Sequence, residues 1–451
     1  MDIKQLADKY RVAAPRYTSY PTVPYWEPAT YTEQRWSEQL LQSRDLADGL
    51  SLYIHLPYCE SLCTYCGCNT RITKNHSVEE PYITAVLKEW YLYLELLPAK
   101  PIIKEIHLGG GTPTFFSPEN LERLITGIVT RTAVHPNAEF SIEAHPNNTT
   151  TQHLEVLHRL GFRRLSLGIQ DFDPTVQFII NRIQSVESVA FVTSEARRIG
   201  YQSVNYDLIY GLPMQKLPGL IDTIEKVISL RPDRIAFYSY AHVPWVKPGQ
   251  RRYTEAHLPT PELKTQLYDA GRDMLTRAGY AEIGMDHFTL KSDSMYLADL
   301  EGKLHRNFMG YTEQTSRVLI GLGVSAISDS WTAFSQNVKT VEEYLDLVNA
   351  GRLPVFKGHV LDSADLIIRQ HILNIMCKGY TSWEAPELQE KIFSEAINRL
   401  QELADDGLII LEKDKLKVTD LGNRVLRNIC MAIVARLWKA KADTQIFSMA
   451  D

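Results

Sequence analysis

The sequence predicts an α/β fold, built as a full or partial barrel of parallel strands, on three observations. Six brief runs are rich in β-branched and aromatic residues, amphipathic stretches of helical length separate them, and polar or glycine residues stand where the runs end. The first run, residues 52–56, leads into Cys59, and the second, 102–108, into Gly109-Gly110-Gly111. The third, 140–143, ends on Glu143 and the fourth, 165–169, meets Gln170. The fifth, 204–209, carries Asp207, and the sixth spans 235–240. Helical stretches at 80–97, 118–130 and 186–199 fall between them, and this alternation favours parallel strands, whose connections need a crossover. A barrel and an open doubly wound sheet both gather chemistry at the carboxyl ends of their strands, so closure stays open at this point.

The flanks read differently. Residues 1–45, with Pro15-Arg16-Tyr17-Thr18-Ser19-Tyr20-Pro21-Thr22 at their centre, have no long helical period and are expected to form an extended arm lying on the body. Residues 46–355 form the barrel and its extension. In 356–451 the pattern gives helices at 364–376 and 394–405, a short apolar pair at 408–411 and 416–418, and a last helix from 420. That is a small, mainly helical unit resembling a winged helix.

With 451 residues, the chain has room for about three domains or one large domain with appendages. Hydrophobic residues at 44% and charged residues at 23% exclude a disordered, collagen-like or membrane-spanning chain. A formal net charge of -6 excludes a global basic field for nucleic acid or anionic lipid, and the C-terminal unit shows no basic excess. The opening residues mix charges and lead into no apolar stretch, so a cytoplasmic protein without membrane or nucleic-acid partners is expected, acting as a monomer.

Four of the six cysteines, Cys59, Cys63, Cys66 and Cys68, fall within ten residues, directly after a strand. Their thiolates can converge on one centre. Zinc sites usually draw on two separated pairs, and no second pair stands nearby, although Cys68 is an available fourth ligand. An iron–sulfur cubane held by only three thiolates leaves one iron open to another ligand. Consecutive glycines at 109–111 let backbone approach a ligand closely. Glu143, Gln170 and Asp207 are polar groups in apolar surroundings that need partners, and Arg182 can pair with a carboxylate. Cys377 and Cys430 lie in helical stretches and read as buried packing residues.

These motifs occur together with Gln170-Asp171-Phe172, Asp207-Leu208-Ile209-Tyr210-Gly211-Leu212-Pro213, Gly284-Met285-Asp286-His287-Phe288, Leu304-His305-Arg306-Asn307-Phe308 and Gly323-Val324-Ser325-Ala326-Ile327-Ser328. The chain therefore resembles, nearly end to end, the oxygen-independent coproporphyrinogen III oxidases, a family of radical S-adenosylmethionine (SAM) enzymes. The resemblance implies a partial six-stranded barrel and a [4Fe-4S] cluster on Cys59, Cys63 and Cys66, with Cys68 nearby but not a ligand. It implies two SAM molecules: Tyr53, Tyr65, Gly110, Glu143 and Ile327 match the site of the SAM on the cluster, and Gly111, Thr112, Gln170, Arg182, Asp207 and Ala241 match the second. Catalytic roles are assigned to Tyr53 and Cys68, the latter as a hydrogen donor or guard of the site.

The implied reaction converts two propionates of coproporphyrinogen III to vinyl groups, with a 5'-deoxyadenosyl radical abstracting hydrogen, a low-potential electron donor and an external electron acceptor. Arg16, Tyr17, Tyr20, His305 and Arg306 are candidate substrate contacts. The related haem chaperone lacks the last cysteine and the N-terminal arm, and both are present here. One departure is His145, where the family commonly has an acid; it is expected to be an ordinary strand-end histidine.

Overall fold

The computed structural model describes residues 3–27, 30–383 and 387–439, so residues 1–2, part of the opening read above for a signal segment, lie outside it. The six expected runs form parallel strands β1 (Leu50–Leu56), β2 (Ile102–Gly110), β3 (Ala133–Ala144), β4 (Phe162–Gln170), β5 (Ser203–Tyr210) and β6 (Arg234–Ser239), paired in that order. Antiparallel strands β7 (Tyr280–Ile283) and β8 (His287–Leu290) extend the β6 edge, with β8 against β6. Four more, β9 (Leu319–Leu322), β10 (Ile327–Asp329), β11 (Ala333–Asn337) and β12 (Val355–Val360), extend the β1 edge, β9 lying parallel to β1. The two ends of this twelve-stranded sheet do not pair with each other among the described residues, so the barrel is partial.

Period-two alternation divides each strand between two environments. On β2 to β5, Ile106, Leu108, Ile142, Leu165, Leu167, Val204 and Leu208 are at most 1% exposed and pack outward under the helices. Their alternates, Glu105, His107, Ser141, Glu143, Ser166, Asn205 and Asp207, turn inward and line the lumen. A polar lumen wrapped in an apolar shell follows from this pattern.

Helices α3 (Glu79–Leu96), α4 (Pro118–Val129) and α5 (Val186–Ile199) stand where the periodicity placed helices. The arm departs from its expected extended form. It contains helices α1 (Ile3–Tyr10) and α2 (Glu33–Gln42), the latter capped by the Thr32 hydroxyl accepting from Arg35 N at 3.2 Å, with Trp36 and Leu40, one turn apart, fully buried. Such short helices hold by packing one face on the body, which is why no long period announces them. The segment between them is irregular, and its Tyr17 and Tyr20 enter a second hydrophobic core with Tyr311, Ile372, Leu400 and Cys430. The C-terminal unit, helices Ser363–Lys378 and Glu387–Asp405 with a three-stranded sheet and the helix Leu426–Ala432, thus shares its core with the arm. Cys377 and Cys430 are buried there as packing residues.

Candidate active site

A cavity of about 650 Å³ fills the lumen. Its floor is a salt-bridge network: Arg164 meets Glu313 at 2.7 Å and Glu139 at 3.2 Å, while Arg234 meets Asp293 at 2.7 Å and Glu313 at 2.5 Å. Every guanidinium on the floor is therefore matched by carboxylate. At the opposite end, beyond the carboxyl ends of the strands, the loop after β1 carries Cys59, Cys63 and Cys66 around the cavity mouth, with Cys68 exposed at its rim.

Each of the three sulfurs accepts a hydrogen bond from a neighbouring residue. The Thr112 hydroxyl donates to Cys59 Sγ at 3.3 Å, Arg182 Nη1 to Cys63 Sγ at 3.6 Å and Cys68 N–H to Cys66 Sγ at 3.4 Å. Burial pushes the Cys59 thiol up to about 11, whereas hydrogen bonding from Cys68 draws the Cys66 thiol down. Among the described residues no three His, Cys, Asp or Glu side chains close on one ion-sized point.

The strand ends behind the loop are tied to it. His55 Nε2 bonds Asn69 O at 2.8 Å, just past Cys68, and its Nδ1 meets Tyr53 OH at 3.0 Å. Gly110, at φ +116°, passes so near the His55 ring that a Cβ would lie 2.7 Å from it, and a Cβ on Gly111 would lie 2.5 Å from Pro57 O. Only glycine fits this close approach.

Glu143 accepts from Gly110 N at 3.1 Å and faces His107 Nε2 at 3.2 Å. Burial favours its neutral form, but His107 and the Gly110 N–H outweigh it and bring the carboxyl below its ordinary value. Asp207 accepts from Asn205 Nδ2 at 2.9 Å and Ser166 Oγ at 3.1 Å; burial, aided by the Glu143 charge, still pushes it up to about 6. Arg182 donates to Gly168 O at 2.6 Å, and its buried Nε has no partner. Gln170 closes β4 at φ +68°. Two carboxylates and an incompletely bonded guanidinium thus line one wall beside the thiols. This donor set fits a cluster with SAM, whose ammonium, hydroxyls and carboxylate call for such partners.

Cys59, Cys63, Tyr65, Cys66, Cys68, Gly110, Gly111, Thr112, Glu143, Gln170, Arg182 and Asp207 all line this cavity. Tyr53, Ala241 and Ile327 stand outside that lining. Tyr53 is one layer behind, stacked on His107 with ring centroids 5.9 Å apart; Ala241 follows β6 and Ile327 opens β10. Arg16, Tyr17, Tyr20, His305 and Arg306 do not line it either. Tyr17, Tyr20 and Arg306 are buried, and Arg16 Nη2 donates to Ser239 O at 3.0 Å. His145 follows β3 and lines the cavity as well: its Nδ1 accepts from Asn147 N at 3.2 Å, and burial, with Arg182 beside it, pushes it down to about 3. Sequence reasoning missed His55, His107, Ser166 and Asn205, which hold the cysteine loop and the two carboxylates. The alternation of polar residues along β1 to β5 was the signal for them.

Comparison with known proteins agrees with this arrangement. Residues 53–227 match the model of the Radical SAM superfamily. The chain is 37% identical to oxygen-independent coproporphyrinogen III oxidase of Synechocystis sp. over 99% of this chain and 97% of that protein. It is 36% identical to the enzyme of the same name from Escherichia coli, over 98% and 97%. The solved structure of E. coli coproporphyrinogen III oxidase, described as a radical SAM enzyme, superposes with a TM-score of 0.87 at 35% identity, covering 93% of this chain and 96% of that one. Similarity that spans both flanks as well as the barrel is more than the superfamily alone would leave, and the chain belongs to the oxygen-independent coproporphyrinogen III oxidases.

Proposed function

We infer that the chain catalyses the oxygen-independent oxidation of coproporphyrinogen III, in which two propionate side chains lose carbon dioxide and become vinyl groups, giving protoporphyrinogen IX. Each conversion removes from one propionate a hydrogen atom, one further electron and carbon dioxide. The observation that carries the site assignment is the set of three sulfurs, each met by its own hydrogen-bond donor, at the mouth of a polar lumen.

In this reading Cys59, Cys63 and Cys66 hold a [4Fe-4S] cluster. When bound, the cluster and SAM supply a one-electron cleavage that yields a 5'-deoxyadenosyl radical, an abstractor strong enough for an unactivated C–H bond. Glu143, ionised and fixed by His107 and Gly110, receives the ammonium of the first SAM, with Tyr53, Tyr65 and Ile327 around it. Gly111, Thr112, Gln170, Arg182, Asp207 and Ala241 serve a second SAM; the first five of them line the cavity. The shell of Leu and Ile outside the lumen keeps water from its walls. Cys68, in the same loop, serves as a hydrogen donor or guards the site. A low-potential donor supplies the electron for cleavage, and an external acceptor takes the electron that leaves with carbon dioxide.

The reading also takes the arm as 1–45, the catalytic body as 46–355 and the helical unit as 356–451, in a monomeric cytoplasmic protein. No helix among the described residues is long and apolar enough to cross a membrane.

Anaerobic incubation of cluster-reconstituted protein with SAM, a low-potential reductant and coproporphyrinogen III tests the reading by mass spectrometry. Stepwise loss of two carboxyl groups together with 5'-deoxyadenosine is expected, and Cys59→Ala, Cys63→Ala and Cys66→Ala each abolish both. Deoxyadenosine without decarboxylation would overturn the substrate. Absence of both from cluster-loaded protein would favour a haem-binding chaperone instead.

A further inference from the structure

Two segments that the reaction as described leaves unused stand against the cysteine loop. One is the loop after β6, residues 240–254, and the other is the short helix Pro174–Ile179 with the turn that follows it. Both are bonded to the cysteine loop. Lys247 Nζ donates to Cys68 O at 3.1 Å and Gln250 Nε2 to Tyr65 O at 3.1 Å. Thr64 N–H donates to Ile180 O at 2.9 Å, and Asn181 Nδ2 to Leu62 O at 2.8 Å. The backbone that carries Cys63, Cys66 and Cys68 is therefore fastened directly to these two segments.

Their surface joins exposed apolar groups to cations. Leu62, Phe178, Trp245 and Val246 are between 41% and 64% exposed. They are neighbours rather than scattered residues: a Cβ on Gly249 would lie 3.4 Å from Leu62 Cδ2, the Arg252 guanidinium stands 5.6 Å over the Phe178 ring, and Arg251 Nε donates to Pro244 O at 3.0 Å, beside Trp245. Aromatic side chains set among arginines are the composition of a protein interface. The charge there has one sign. Residues 174–186 and 240–254 contain Lys247, Arg251 and Arg252 but no aspartate or glutamate. The acids at their borders are Asp173, which caps the helix, and Glu255; across the cysteine loop, Glu60 faces His76 at 3.7 Å. In a chain of formal net charge -6, this is a local cationic surface, complementary to an acidic partner. Phe178, Trp245, Val246, Arg251 and Arg252 do not line the cavity, so what they bind is not what the lumen holds.

We propose that this surface docks a small acidic protein with a low-potential one-electron centre, which passes its electron inward across the cysteine loop. One electron leaves the carrier and one is gained at the cluster; no bond forms or breaks, and no proton moves. The inference rests on the reading above that Cys59, Cys63 and Cys66 hold a cluster, and it gives the electron donor required there a place of entry.

The test uses cluster-reconstituted full-length protein and an acidic plant-type ferredoxin as the probe. Calorimetry at low and high salt reads binding, and stopped-flow absorbance reads cluster reduction by the pre-reduced ferredoxin. The parent should bind at low salt and lose affinity as salt screens the charges. Arg251→Glu combined with Arg252→Glu should weaken binding about tenfold or more and slow reduction by ferredoxin in step, whereas Arg251→Lys with Arg252→Lys should stay within a few-fold of the parent. Photoreduction through 5-deazariboflavin, a small uncharged reductant that needs no docking, should proceed equally in all three proteins, and equal thermal midpoints exclude misfolding. Unchanged ferredoxin affinity on charge reversal, or a parent that binds no ferredoxin, would overturn the proposal. So would charge reversal that weakened only the binding of coproporphyrin III, which would assign the surface to the tetrapyrrole. Neither measurement contains coproporphyrinogen, so failure of the substrate reading leaves both results standing, and a chain that takes up no cluster would overturn the cluster reading and this inference together.

Discussion

Asp207 and Glu143 show how two carboxylates in one lumen acquire different properties from their neighbours. Glu143 has a histidine and a backbone N–H and stays ionised, whereas Asp207 has only neutral donors and a like charge nearby, and its carboxyl rises to about 6. An ordinary aspartate would remain ionised down to about pH 4. Because the folded value is raised, Asp207 loses its charge as pH falls through about 6, and kcat/KM for SAM should fall with it. Asp207→Asn should remove that acid limb while lowering the plateau, as an initial-rate pH profile would record. A second residue acts at a distance from the chemistry. Glu89 on α3 is fully buried and accepts from Gly323 N at 2.8 Å, Asn337 Nδ2 at 2.7 Å and Tyr344 OH at 2.7 Å, fastening the turn that precedes Ile327. Glu89→Ala strands three buried donors and should cost about 3 kcal/mol in a denaturant melt. Glu89→Gln, which retains one carbonyl acceptor, should cost less.

At the scale of elements, the legible part of the fold was the part that repeats. Six apolar runs with helices between them are a long pattern, and their boundaries moved by only a few residues at most ends, β3 being the exception because its first half is mostly exposed and interrupted by a proline. The cysteine loop was legible because three thiols at close spacing have few other uses. Strands β7 to β12 were not, since they are three to six residues long and their pairing is set by tertiary contact. His287, which also lines the cavity, lies on one of these strands, so its place in the wall could not be read from spacing. The N-terminal helices were missed for the same reason. The Gly321 position illustrates how tight such pairing is: a Cβ there would lie 2.4 Å from Ile327 O. Gly321→Ala should therefore push β10 away from β9, costing about 2 kcal/mol and raising KM for SAM, whereas alanine at Gly67, which meets nothing within 4 Å, should leave stability unchanged.

For the whole molecule, stability couples to pH through histidines kept neutral by burial. His371, in the C-terminal unit, bonds Thr381 Oγ1 at 2.7 Å, and burial pushes it down to about 4. Between pH 4 and 6.5 the unfolded chain binds a proton here that the folded chain refuses, so this contribution to stability is full above pH 6.5 and is lost as pH falls toward 4. By pH 5 the loss is about 2 kcal/mol. His371→Gln should flatten the fall in unfolding free energy between pH 7 and 5 by that amount. The arm is the other whole-molecule coupling, held at its root by Arg427 and further out by Lys9 and Tyr10 on Asp406. Arg427→Ala should expose residues 11–20 to limited proteolysis well before the barrel is cut.

Those last contacts also order events during synthesis. Arg427 and the Pro15 carbonyl it binds are 412 residues apart, so a segment made early finds its seat in one made 412 residues later. At about 5–20 residues per second the arm waits roughly 20–80 s, while the barrel behind it can already fold. A nascent chain released before that seat is made would carry a formed lumen with its arm undocked.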